Sequence, residues 1–182
     1  MGACRQVIFQ SRTAQTLKTL SEIAMTIVDK INQSGKSKKS ASVTFYLNQI
    51  IVQTYDFATT GIGLGSTKLT KLNIDSPPSV LGQTLRKHLS LTEYDVKHPT
   101  DFKEHWNAIK KAAGFKTNKE TYMDARSLSC GQTETEITIT PCENQHNTGY
   151  LHVPNTKNIL SVTISDHELG LQLLKTRDMA TG

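Results

Sequence analysis

The chain has 182 residues, enough for one domain that buries roughly 70% of its unfolded surface without needing disulfides or a structural metal. Hydrophobic residues make up 36% and charged residues 20%, which excludes a disordered polyelectrolyte and points to a globular protein. The net charge of +5 is polarised: nine Lys/Arg face four Asp/Glu over residues 1–75, eight face four over 76–119, and four face eight over 120–182.

In chain order, residues 6–10 read as a short apolar strand. Over 13–34, Leu17, Leu20, Ala24, Ile27, Val28 and Ile31 recur at spacings of three and four, the stripe of an amphipathic helix, and Ser34-Gly35 ends it. Residues 36–40 are a polar loop. The β-branched and aromatic runs 43–47 and 49–55, broken at Asn48, predict two paired strands or one long bent one. Gly61, Gly63 and Gly65 lack the Gly-Lys-Ser/Thr ending or helix-opening spacing of a phosphate loop, so they read as a flexible turn before a strand over 67–74.

From Ser76 the pattern becomes helical, with Ser-Pro-Pro as cap and first turn and with Val80, Leu81, Leu85 and Leu89 as the buried face. Gly82 inside this helix predicts close contact with a sheet or a neighbouring helix. A third helix is expected over 100–113, announced by Pro99, stopped by Gly114, and packing Phe102, Trp106 and Ile109 on one face. Thr117 and Glu120 form a capping-box pattern for a short helix to about residue 126. Residues 127–130 and 135–140 predict a hairpin around Gly131-Gln132, with Ile137 and Ile139 buried and Glu136, Thr138 and Thr140 wet. Further strands are expected over 150–153 and 159–164, then a helix over 166–177 with Leu169, Leu173 and Leu174 inward.

An internal echo links the two halves. Strand, serine and a Leu81-Gly82 helix recur as strand, serine and a Leu169-Gly170 helix, each glycine placed to let its helix approach the sheet. Alternating strands and helices favour an α/β fold with helices layered on a mixed sheet.

Chemical signatures are sparse. No stretch approaches the ~20 apolar residues of a membrane span, and residues 1–12 lack a signal-peptide core, so a cytoplasmic location is expected. Cys4, Cys130 and Cys142 leave one thiol unpaired under any connectivity, which suits a reducing compartment. His88, His98, His105, His146, His152 and His167 form no metal-ligand spacing, and no nucleophile motif is present. The residues therefore nominate no catalytic, metal or cofactor-binding site, and a non-enzymatic protein is expected. Glu134, Glu136 and Glu143 gather on one hairpin strand and the loop after it; a wet strand face accounts for them better than a Mg²⁺ site. Charge alone leaves open a small basic nucleic-acid-binding protein, and also a nuclease toxin.

The order of Leu81-Gly82, Trp106, Gly114-Phe-Lys-Thr117, Ile137-Thr-Ile-Thr-Pro141 and Leu169-Gly170 resembles the contact-dependent growth inhibition immunity proteins, CdiI, most strongly over residues 76–177. The resemblance implies a bacterial, cytoplasmic antitoxin: one domain over 1–182, a three-layer α/β/α sandwich with a mixed central sheet. It would bind the C-terminal toxin domain of a cognate CdiA protein, expected to be a nuclease, with no membrane, nucleic-acid or small-molecule partner. The matched motif residues serve folding, so the partner-binding candidates come from charge. They are Glu134, Glu136 and Glu143, in the acidic segment that would complement a cationic toxin.

Overall fold

The chain's fold is that of a computed structural model, which describes residues 38–146 and 149–181. The strand expected over 6–10, the helix over 13–34 and Cys4 lie outside the described residues, as does part of the expected 1–182 domain. Seven strands, β1 (Lys39–Phe45), β2 (Gln49–Phe57), β3 (Gly63–Asn73), β4 (Arg126–Gln132), β5 (Glu136–Asn144), β6 (Tyr150–His152) and β7 (Asn158–Ser161), form one sheet. Four helices accompany them: α1 (Pro78–Ser90), α2 (Phe102–Ala113), α3 (Asn118–Tyr122) and α4 (Asp166–Arg177).

The strand order is β3-β2-β1-β4-β5-β6, and β7 shares with β6 the outer edge of β5. Every ladder is antiparallel; the parallel component of the sheet is two single bridges, Ala58 to Val96 and Glu143 to Thr181. The 43–47 and 49–55 runs are two paired strands, Phe45 opposite Ile50, and β1 begins earlier than expected, taking Lys39 and Ser40 from the supposed loop. Gly63 and Gly65 also belong to a strand, β3, leaving the turn to residues 59–62 around Gly61 at φ +79°.

Strand alternation sorts the side chains into two layers. On one face Ala41, Val43, Phe45, Ile50, Val52, Leu128, Cys130, Ile137 and Ile139 meet Leu81, Leu85 and Leu89 of α1 and Leu169 and Leu173 of α4. Ile51, Gln53, Tyr55 and Leu69 point the other way, toward Ile109 and Ala113 of α2. Helices thus cover both faces, as a three-layer α/β/α arrangement requires. Cys130 and Cys142 are both free and buried, and their even offset with one hairpin crossing between them puts them on different faces: Cys130 in the α1/α4 core and Cys142 beyond it.

The glycine echo has a different cause from the one expected. Gly82 and Gly170 face the opposing helix, not the sheet. A methyl group on Gly82 would overlap the Asp166 carbonyl, and one on Gly170 would overlap the Pro78 carbonyl. Each glycine therefore lies under the first residue of the other helix, so α1 and α4 touch backbone to backbone in a reciprocal contact. Arg86 clamps the junction: its Nε donates to Asp166 Oδ1 at 2.7 Å, Nη1 to the Val162 carbonyl at 2.9 Å and Nη2 to the Ile164 carbonyl.

Several local expectations shift for stated reasons. Ser76 caps nothing; Pro77 occupies the cap position without a side-chain bond, and Pro78 at the first helical position has no N–H to satisfy. Val80 is exposed rather than buried. Helix α2 starts at Phe102 because Asp101 Oδ1 accepts from the Lys103 and Glu104 amides at 2.7 and 3.0 Å; Phe102 then stands 57% exposed. Thr117 does cap α3, but Glu120 reaches back to the Lys116 amide, and the helix ends at Tyr122. The β4–β5 turn lies at residues 133–135, closed by the Thr133 amide on the Glu136 carbonyl at 2.9 Å, while Gly131 and Gln132 remain paired in β4. Helix α4 has the expected bounds, capped by Ser165 on the Glu168 amide.

Candidate functional site

The second sheet face differs chemically from the first. Its central strands contribute Ser42, Thr44, Gln53, Tyr55 and Ser127 where the opposite face carries aliphatic residues. Helix α2 crosses this polar face and touches it at Ile109 and Ala113, leaving a cavity of about 280 Å³. Aromatic rings from α2, α3, β6 and the loops after β1 and α2 wall it. Trp106 of α2 stacks on Tyr122 at 6.2 Å and 18°, Tyr122 meets Tyr150 at 5.6 Å, and Tyr46 meets Phe115 at 5.0 Å.

Local hydrogen bonds hold the rings. The Tyr46 and Tyr150 hydroxyls both donate to the Thr121 carbonyl, at 3.0 and 3.4 Å. Trp106 Nε1 donates to Asn118 Oδ1 at 3.3 Å, joining α2 to α3. On the floor, Thr44 and Ser127 hydroxyls pair across β1 and β4 at 3.1 Å. Burial, reinforced by neighbouring phenols, raises Tyr46 and Tyr150 well above the usual phenol range. Their single O–H groups are committed to the Thr121 carbonyl.

Lysines lie at the cavity and on the segment that follows α2. Lys110 lines the cavity. Lys71 brings its ammonium over the α2 C-cap, 2.7 Å from where a Gly114 side chain would begin. Lys116 and Lys119 flank the Phe115 and Asn118 contacts. Among the described residues, the ion pairs engage Lys68, Arg86, Arg126 and Arg177 and none of these four lysines. No carboxylate among the described residues lines the cavity.

The glutamates nominated by charge are exposed but not clustered. Glu134 sits in the β4–β5 turn, Glu136 opens β5 opposite Ser161, and Glu143 lies at the far end of β5 opposite Leu151. Seven residues of strand separate Glu136 from Glu143, roughly 23 Å. Their odd spacing puts them on opposite faces of the sheet.

Three of the histidines hydrogen-bond within the fold. His88 is buried, with Nδ1 2.9 Å from Thr54 Oγ1 and Nε2 2.8 Å from Thr70 Oγ1. His105 Nε2 reaches the Gly65 carbonyl at 2.8 Å, and His98 pairs with Thr60 at 3.0 Å. Burial pushes the Cys130 and Cys142 thiols up, away from the reactive thiolate. Among the described residues, no three His, Cys, Asp or Glu side chains converge to hold a metal ion, and no helix is long and apolar enough to cross a membrane.

Sequence reasoning missed the aromatic cavity. Trp106 reads as core at helical spacing, yet it is a half-buried wall, and Lys110 lines the cavity rather than lying wholly on the polar side of α2. A signal was present: residues 106–122 interleave Trp106, Phe115 and Tyr122 with Lys110, Lys111, Lys116 and Lys119.

Comparison with known proteins agrees with this architecture. A family model described as CDI immunity protein, CdiI, matches residues 39–178. A protein of unknown function from Neisseria meningitidis has a similar structure, with a TM-score of 0.69 at 16% identity, covering 79% of this chain and 95% of its own. A chain of the CdiA-CT/CdiI toxin and immunity complex from Yersinia pseudotuberculosis superposes with a TM-score of 0.63 at 19% identity, covering 79% and 98%. At those identities the likeness speaks for the fold alone, and no curated protein sequence matches the chain. The family match spans the sheet from β1 and all four helices, and on it the chain belongs to the CDI immunity protein family, CdiI.

Proposed function

We propose that this protein is a non-enzymatic, cytoplasmic antitoxin that binds the C-terminal toxin domain of a cognate CdiA protein, a nucleic-acid-cleaving domain, and blocks its activity. The observation that carries this reading is the immunity-family match over residues 39–178. The structural likeness to a chain from a CdiA-CT/CdiI toxin and immunity complex supports it through the fold. The chemistry of the second sheet face suits it too, since neutral phenols and lysines around a cavity offer a binding surface without a general base or nucleophile.

A toxin that cleaves nucleic acid has a cationic substrate-binding surface. Glu134 and Glu136, exposed together at the β4–β5 turn, are the steering pair for that surface; Glu143, on the other face at the far end of β5, would meet a different part of the toxin. The test is direct: the purified protein is mixed with the toxin domain encoded immediately upstream of its gene. Stable complex formation and loss of toxin activity are expected. No binding and no protection from that toxin would end the antitoxin reading.

A further inference from the structure

The aromatic cavity under α2 lies at the other end of the β4–β5 hairpin from Glu134 and Glu136. Ser127, on its floor, precedes Leu128, which pairs with Pro141, whereas the turn follows Gln132 opposite Ile137. Ser127 is roughly 20 Å from the turn at strand spacing, while Ser42 and Tyr55, level with Ser129 and Gly131, form the nearer side of the lining; the aromatic walls and Lys110 give this surface its own chemistry. From its walls and lysines we infer that it is an anchor site that receives an aromatic side chain flanked by carboxylates from the partner protein.

Size, wall chemistry and charge each narrow the occupant. At about 280 Å³ the cavity falls just below the roughly 300–1,000 Å³ of drug-sized ligand sites, and suits one inserted side chain. Trp106, Tyr122 and Tyr150 present faces and edges for offset or edge-to-face ring contacts. The floor hydroxyls of Ser42, Thr44 and Ser127 can meet a phenol or indole donor group. Aromatic boxes often take cations, but here Lys110 lines the cavity, Lys71 stands over the α2 C-cap, Lys116 follows the lining residue Phe115 in sequence, and no carboxylate lies among the described lining residues. A cationic side chain is repelled, whereas a carboxylate beside the ring finds ammonium groups that no described acid neutralises. Buried aromatic anchors ringed by exposed charge are the usual energetic centre of a protein interface.

This inference rests on the antitoxin reading for the identity of the partner, and the experiment separates the two. The partner is the upstream-encoded toxin domain carrying an inactivating substitution, and affinity is measured at 50 and 200 mM salt. Wild-type binding tests the antitoxin reading; its absence refutes that reading and this site with it. Given wild-type binding, Lys110→Glu/Lys116→Glu should weaken affinity by about tenfold or more and shallow its salt dependence. Trp106→Ala should weaken it by about 30-fold, with circular dichroism and melting temperature showing each variant folded. Should Trp106→Ala not fold, the lysine pair, half-buried Lys110 and exposed Lys116, still decides. Wild-type affinity and salt slope in the folded lysine variant would overturn the anchor site. So would a lysine effect confined to a fluorescein-labelled single-stranded oligonucleotide, which would identify a nucleic-acid groove instead.

Discussion

Replacing Gly170 by alanine tests the reciprocal helix contact most sharply, because two effects of opposite sign compete. Inside a helix the change should stabilise by about 1 kcal/mol through propensity. Here the new methyl would occupy the position of the Pro78 carbonyl, and ordinary contact begins only at 3.4 Å, so α1 and α4 must separate by more than an ångström. The strain of overpacking costs about 1–3 kcal/mol. Opening the helix pair also uncovers Leu81, Leu85, Leu169 and Leu173, all fully buried. Each is worth about 1.5–3 kcal/mol when buried, so losing a tenth of that burial adds about 1 kcal/mol. The net expectation is destabilisation by about 1–3 kcal/mol, a fall in melting temperature of about 3–10 °C for a chain of this size. Urea and thermal unfolding followed by far-ultraviolet circular dichroism would measure it. Gly63→Ala serves as the control, since its nearest neighbours, at 3.8 and 3.9 Å, are ring atoms at ordinary distance. A Gly170→Ala protein as stable as wild type, or more so, would refute the backbone-contact account.

Other outcomes follow from single features. Gly114 caps α2 at φ +81° with Lys71 above it, so Gly114→Ala should cost about 1–2 kcal/mol, read as a lower urea midpoint; an unchanged midpoint counts against the left-handed cap. Burial, aided by Lys87, lowers the His88 pKa below its usual 6.5. The unfolded chain therefore binds the proton first, and stability is full above about pH 6.5 and declines as pH falls toward the folded-state value. His88→Gln should flatten the urea midpoint between pH 7.5 and 5, and a retained slope would assign that loss to other groups. Reversing Glu134 and Glu136 to lysine should lower the association rate for the toxin and weaken its salt dependence with no change in melting temperature. An association rate equal to wild type would move the steering surface elsewhere.

How much was legible beforehand depends on how far apart the deciding residues lie. Helix α4 was readable to its ends because Ser165, the acidic first turn and Lys175 and Arg177 in the last turn all act within a few residues. The burial of Ile137 and Ile139 followed from alternation alone, whereas the β-branched and aromatic runs broken at Asn48 left the β1–β2 pair as one of two readings. Helices layered on a sheet were implied by strands and helices that alternate along the chain, but layers on both faces were implied by the family resemblance alone. The β4–β5 turn was misplaced because a glycine followed by a polar residue signals a turn locally, whereas β1 on the other side holds Gly131 and Gln132 in register with Ser40 and Lys39. For Gly82 and Gly170 the sequence supplied the repeat but not the direction they face, which depends on how α1 and α4 cross. The glutamates seemed adjacent because seven residues are few in sequence, yet in an extended strand they reach across the sheet. The cavity was least visible of all. Tyr46, Trp106, Tyr122 and Tyr150 come from three elements and the turn after β1, spread over more than 100 residues, and the antiparallel register that sets β1 beside β4 helps bring them together. Periodicity records which side of an element is wet or dry; which distant rings then share a space is decided by strand order and helix crossing, and these are properties of the assembled sheet.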